Sequence, residues 1–160
     1  MSKVLRSVAL QSDGKIVAVG NWDARFYLTR FNTDGSIDNS FGDEGVVITS
    51  GGVDAMSVAI TPDGRILATG YSFFGHVSST SAIYEANGTL QALTHRSYKP
   101  YNVSKDISNT KDGGMLVSTY TTDYPADGRN QAEAIGVSKY SNNNEIWTTT
   151  IGSNIPRSEE

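Results

Sequence analysis

Apolar and polar positions alternate over short runs along the whole chain, and the runs come back at a fixed interval. SVALQ at 7–11 and SVAIT at 57–61 alternate with a period of two, and DISNT at 106–110 follows them more loosely. Each run leads into an Asp-Gly pair (Asp13-Gly14, Asp63-Gly64, Asp112-Gly113) and then a nearly unbroken apolar stretch, IVAV, ILAT or MLV. A period of two bounded by Asp-Gly predicts two strands joined by a tight hairpin, with glycine supplying the positive φ that the turn needs. An unbroken apolar strand predicts cover on both faces.

A second hairpin follows in each copy. Phe31, Tyr84 and Tyr140 each stand four positions before a turn residue, Gly35, Gly88 or Asn144, and all three turn residues tolerate left-handed geometry. Apolar residues nowhere recur at helical spacing. The chain is therefore expected to be all-β: one repeat domain over 1–160, with three four-stranded antiparallel repeats at about 5–54, 55–104 and 105–155. Self-similarity at a period near 50 marks a unit that cannot bury its faces alone. Propeller blades fit that unit, and a β-trefoil or β-prism, which also uses three four-stranded repeats, is the alternative.

The stretch ALQSDGKIVAVG, then YLTRFNTDGSIDNSFGDEGVVIT, then SVAITPDGRILATG resembles the delta-sixty repeat, a bacterial β-propeller repeat. The resemblance is closest over 7–70, loses its Phe-Gly stretch over 71–104 and is faint after 105. It implies a propeller of such blades, found often in surface or secreted proteins, and it carries no catalytic residue. Propellers close with about four to eight blades. Three repeats are thus expected to be half of a six-bladed ring, completed by a second chain, or a fragment of a larger propeller.

Composition narrows the chemistry. The absence of cysteine removes disulfides, thiolate metal sites and thiol nucleophiles. With a net charge of −4 and 13 scattered Lys and Arg, the chain has no basic stripe for nucleic acid. No run approaches the roughly 20 apolar residues of a membrane span, and the first residues do not read as a signal peptide. A cell surface or a virion is the favoured setting.

Candidate binding residues fall in the segments between the second and third strands of each repeat and between repeats, because variable loops on a rigid scaffold usually carry binding. They are Trp22, Asp23 and Arg25 in the first repeat, Phe73, Phe74 and His76 in the second, Tyr98 and Tyr101 between the second and third, and Tyr124 and Arg129 in the third. Aromatic faces beside Asp, Asn and Arg suit a protein partner or a glycan. Asp34, Asp38, Asn39, Asp43 and Glu44 crowd oxygen donors together, but their spacing matches no calcium loop. The resemblance implies that this stretch is the repeat's ordinary turn between third and fourth strands, where Asp and Asn shape the backbone and Phe41 packs inward. His76 and His95 have no zinc spacing, and nothing in the sequence implies a cofactor. No nucleophile elbow or phosphate loop is present. A glycosidase pair drawn from Asp23, Glu85, Asp123 and Asp127 is the remaining enzymatic option. The leading expectation is a non-enzymatic interaction module whose partners are copies of itself or other protein subunits, with a glycan-binding lectin as the alternative.

Overall fold

A computed structural model describes residues 3–73, 77–96, 101–110, 115–123, 132–141 and 144–152, with only the backbone at 96, 101, 102, 121–123, 132–136, 138, 140, 141 and 144–152. Among them there is no helix. The strands are β1 (Lys3–Leu10), β2 (Ile16–Trp22), β3 (Phe26–Phe31), β4 (Val46–Thr49), β5 (Asp54–Ile60), β6 (Ile66–Phe73), β7 (Val77–Tyr84), β8 (Leu90–Arg96), β9 (Tyr101–Asn109), β10 (Met115–Asp123), β11 (Ala132–Ser141) and β12 (Asn144–Gly152). They form three antiparallel meanders in chain order, β1–β4, β5–β8 and β9–β12, and one parallel bridge, Val77 to Tyr101, joins the second to the third.

The Asp-Gly turns are alike in detail. Gly14 donates to the Gln11 carbonyl at 3.0 Å and Gly64 to that of Thr61 at 2.9 Å, with φ of 84° and 88°. The turns at Gly35 and Gly88 repeat the pattern onto Asn32 and Glu85. A bulge recurs too: Arg6, Met56 and Lys105 are each skipped in the pairing of a meander's first two strands. Opposite it, a Cβ on Gly20 would lie 1.9 Å from the Val4 carbonyl oxygen, and one on Gly70 equally close to that of Asp54. This close approach is why both apolar runs end in glycine.

Three details differ from the sequence reading. The connection between β2 and β3, expected among the variable loops, is minimal: Trp22 and Arg25 exchange backbone bonds of 3.1 Å around Asp23 and Ala24, both at positive φ, which is a two-residue hairpin turn. Tyr101 opens strand β9, so the third meander starts ahead of residue 105. The fourth strand of the first meander is split: after Ile37, which bridges Phe31, the chain makes a detour over 38–45 before β4 resumes beside β3. In the second meander β8 runs straight on from Leu90 without a detour.

The meanders stack face to face in series. Call the side bearing Val8, Val58 or Ile107 the front and the opposite side the back. The back of the first, with Val17, Val19, Phe26 and Leu28, packs on the front of the second, with Ala55, Val58, Ile66, Ala68, Ala82 and Tyr84. The back of the second, with Ala59, Leu67 and Ile83, packs on the front of the third, with Ile107, Met115 and Val117. Neighbouring residues of β6 thus go to opposite cores, Ile66 and Ala68 to one and Leu67 to the other, as the period of a strand requires. Polar links cross both seams. Arg6 grips Asp54 at 2.9 Å, Asn21 donates to the Val53 carbonyl at 2.9 Å, and Ser57 donates to Asp106 at 2.6 Å.

Candidate functional site

The strongest polar constellation is built on the detour of the first meander. Arg30, in β3 on the back face, is 7% exposed and points toward the second meander. Its Nε donates to Asp38 Oδ2 at 2.7 Å, and one terminal nitrogen reaches the Ala86 carbonyl at 2.6 Å across the seam. Lys15 donates to the same carboxylate oxygen at 2.8 Å, while the Ser40 hydroxyl and amide donate to the other at 2.6 and 3.1 Å. Phe41 is fully buried under Arg30, whose guanidinium carbon stands 4.7 Å from the ring centre. The next amide, Gly42, donates to the Asn87 carbonyl at 3.1 Å.

Four donors on one carboxylate favour its charged form, so Lys15 and Ser40, with the Arg30 charge behind them, hold Asp38 far below the usual carboxylate range. A depressed folded-state value contributes stability that is complete above the unfolded value of about 4 and is lost as pH falls below it. Asp38→Asn is therefore expected to lower stability at pH 7, and the gap to the wild type should close as pH drops from about 4 to 2. Urea midpoints across that range test it, and a constant gap would mean that Asp38 acts through shape alone.

This constellation holds the fold rather than offering chemistry, since each side chain is spent on another. Asp34 likewise caps its own turn through Ser36 at 2.7 Å. Tyr84 bonds Thr49 at 2.8 Å, and burial pushes its phenol up to about 12. The segment singled out for its oxygen donors is thus a clamp between two meanders.

A family model now bears on the same residues. A domain of unknown function (DUF5122) beta-propeller matches residues 11–41. The matched span takes in Gln11, whose side chain lies 3.4 Å from Arg30, together with Lys15, Arg30, Asp38, Ser40 and Phe41. No curated protein matches the chain.

The expected binding residues divide. Trp22 closes β2 and meets Tyr27 edge-on, with ring centres 6.3 Å apart. Lys3 Nζ stands 4.8 Å and the Arg25 guanidinium carbon 5.6 Å from the Trp22 ring centre, and Arg25 also pairs with Asp23 at 3.4 Å. Phe73 ends β6 and is 60% exposed; its partner Val77 bridges Tyr101, so the structure brings these backbones to one edge. The side chain of Tyr101, and Phe74, His76, Tyr98, Tyr124 and Arg129 altogether, lie outside the described residues. His95, on the front of the second meander, holds Nδ1 3.1 Å from the Thr80 hydroxyl and 3.3 Å from that of Ser72. Of the carboxylates weighed for hydrolysis, Glu85 accepts from Gln91 and Asp23 is paired, while Asp123 and Asp127 side chains fall outside the described residues.

Sequence reasoning passed over the front face of the first meander. Leu5, Val8 and Leu10 are 47%, 65% and 69% exposed there along β1, and Ile48, on β4, faces the same side. At its edge Lys3, Trp22, Asp43, Glu44, Val46 and Ile48 line a groove of about 510 Å³. The alternation of β1 was a signal that this face is apolar, but no local pattern says which apolar face lacks a neighbour.

Proposed function

We propose that the chain is a non-enzymatic structural and interaction module, a set of three propeller blades that associate with further blades into a closed ring of six for display on a cell surface or virion. The carrying observation is the serial stack with its uncovered apolar front. In a trefoil or prism three repeats pack around one shared core, whereas here one core joins the first meander to the second and a separate one joins the second to the third. A series of sheets stacked face to face is how blades meet, and the propeller-type match over 11–41 supports the same reading. A row of exposed apolar side chains, Leu5, Val8 and Leu10 along β1, on the face that the other two meanders keep covered supports an interface there. Light scattering on a sizing column, over a range of concentrations, should give twice the chain mass of 17.2 kDa. A monomer at every concentration would overturn the assembly.

The groove beside Trp22 favours a second reading, glycan binding, because it joins an indole to two carboxylates. Lys3 and Arg25 already lie against that indole, which leaves less of its face for a sugar ring. Saturable quenching of tryptophan fluorescence by a glycan, abolished in Trp22→Phe, is what this reading requires. A flat titration across a glycan panel removes it.

A further inference from the structure

Resting on the assembly reading above, we propose that two copies of this chain dock head to tail, the back of one third meander covering the front of the partner's first. The chain itself shows twice what such a front receives. Val8, Val58 and Ile107 occupy equivalent places, as do Ile16, Ile66 and Met115, and Ala18, Ala68 and Val117. Val58 and Ile107 are 6% and 5% exposed, and Ile66 is fully buried. Val8, the same side chain on the same kind of strand as Val58, stands in water. In both covered cases the cover is the back of a preceding meander, Val17 and Val19 for one and Leu67 and Ile83 for the other.

The third meander offers a back of that kind. Leu116, Ser118, Val137 and Lys139 are half-buried there, Leu116 opposite Lys139 and Ser118 opposite Val137. By register Leu116 stands where Val17 and Leu67 do, and Lys139 stands where Arg30 does. Arg30 crosses its seam to Ala86, in the turn before Gly88. The equivalent turn of the first meander holds Thr33 and the exposed carboxylate of Asp34. By that register the back of the third meander carries a basic residue at the place that corresponds, across such a seam, to the turn bearing Asp34, so the two surfaces carry opposite charges at corresponding places. Joining unlike surfaces head to tail gives a ring when the rotation closes, and two copies then supply six blades.

The native chain has no cysteine, so single thiols report position cleanly. Val8→Cys and Ser118→Cys chains, both conservative in size, would be mixed and treated with a short bis-maleimide. The 8-to-118 product should exceed either self-linked product at least severalfold. Val8→Asp, at an exposed position, should keep the wild-type circular dichroism and require at least tenfold more protein to dimerise. A wild-type dimer that yields mainly 8-to-8 product, or no mixed product, overturns the docking mode while the assembly reading stands. Dimerisation unchanged in Val8→Asp does the same, and a wild type that never dimerises overturns both.

Discussion

Phe41→Ala is expected to cost about 3–5 kcal/mol, the range for emptying a fully buried aromatic site. The loss should be near the upper end, because the ring has three dependants. Arg30 lies over it, the Gly88 turn of the next meander packs close enough that a Cβ there would stand 3.0 Å from the ring, and Val47 adjoins the same turn. With the ring gone, the detour over 38–45 loses its anchor, and the carboxylate that pairs Arg30 belongs to that detour. Urea unfolding read by far-UV circular dichroism measures the change. Asn39→Ala, at an exposed neighbour, should stay within about 0.5 kcal/mol and serves as the control. A Phe41→Ala effect below about 1 kcal/mol would mean that the clamp does not join the meanders as described.

Gly70→Ala should be nearly as damaging, at about 3 kcal/mol or more, through overpacking rather than a cavity. The added methyl would sit 1.9 Å from the Asp54 carbonyl oxygen and 3.1 Å from the Ala55 Cα, atoms of a backbone that is also bulged at Met56. Neither strand can retreat easily. Asp54 is held by Arg6 of the first meander, and β6 is packed on both faces. A melting temperature within a degree or two of the wild type would show that the bulge relaxes freely, and that the shared glycine of the first two repeats answers to something else. In the third repeat Thr119 occupies this place, so Thr119→Gly is expected to be tolerated there.

Much of the architecture is legible before any coordinates. The 50-residue recurrence and the Asp-Gly pairs announce two-strand hairpins, and the turns at Gly14 and Gly64 form as that pattern demands. The aromatics before the second turn mark the ends of β3 and β7 correctly. Phe41 is inward, as the resemblance to the delta-sixty repeat implies. The two-residue turn at Asp23 and Ala24 was less legible, because neither residue is the glycine or asparagine usual at positive φ. The role of Arg30 was hidden as well: an arginine between Thr29 and Phe31 in a strand looks solvent-facing until the detour folds Asp38 back onto it.

The sequence by itself determined the local elements: strand period, hairpin turns and the two-faced apolar character of the middle strands. Those follow from backbone sterics and a period of two, which act over a few residues at a time. Tertiary structure alone decided which apolar faces meet, that Val58 is buried while Val8 is not, and that one carboxylate gathers Arg30, Lys15 and Ser40. Burial is a property of the neighbour as much as of the side chain, and two closely similar stretches of sequence carry no record of where in the stack each one stands.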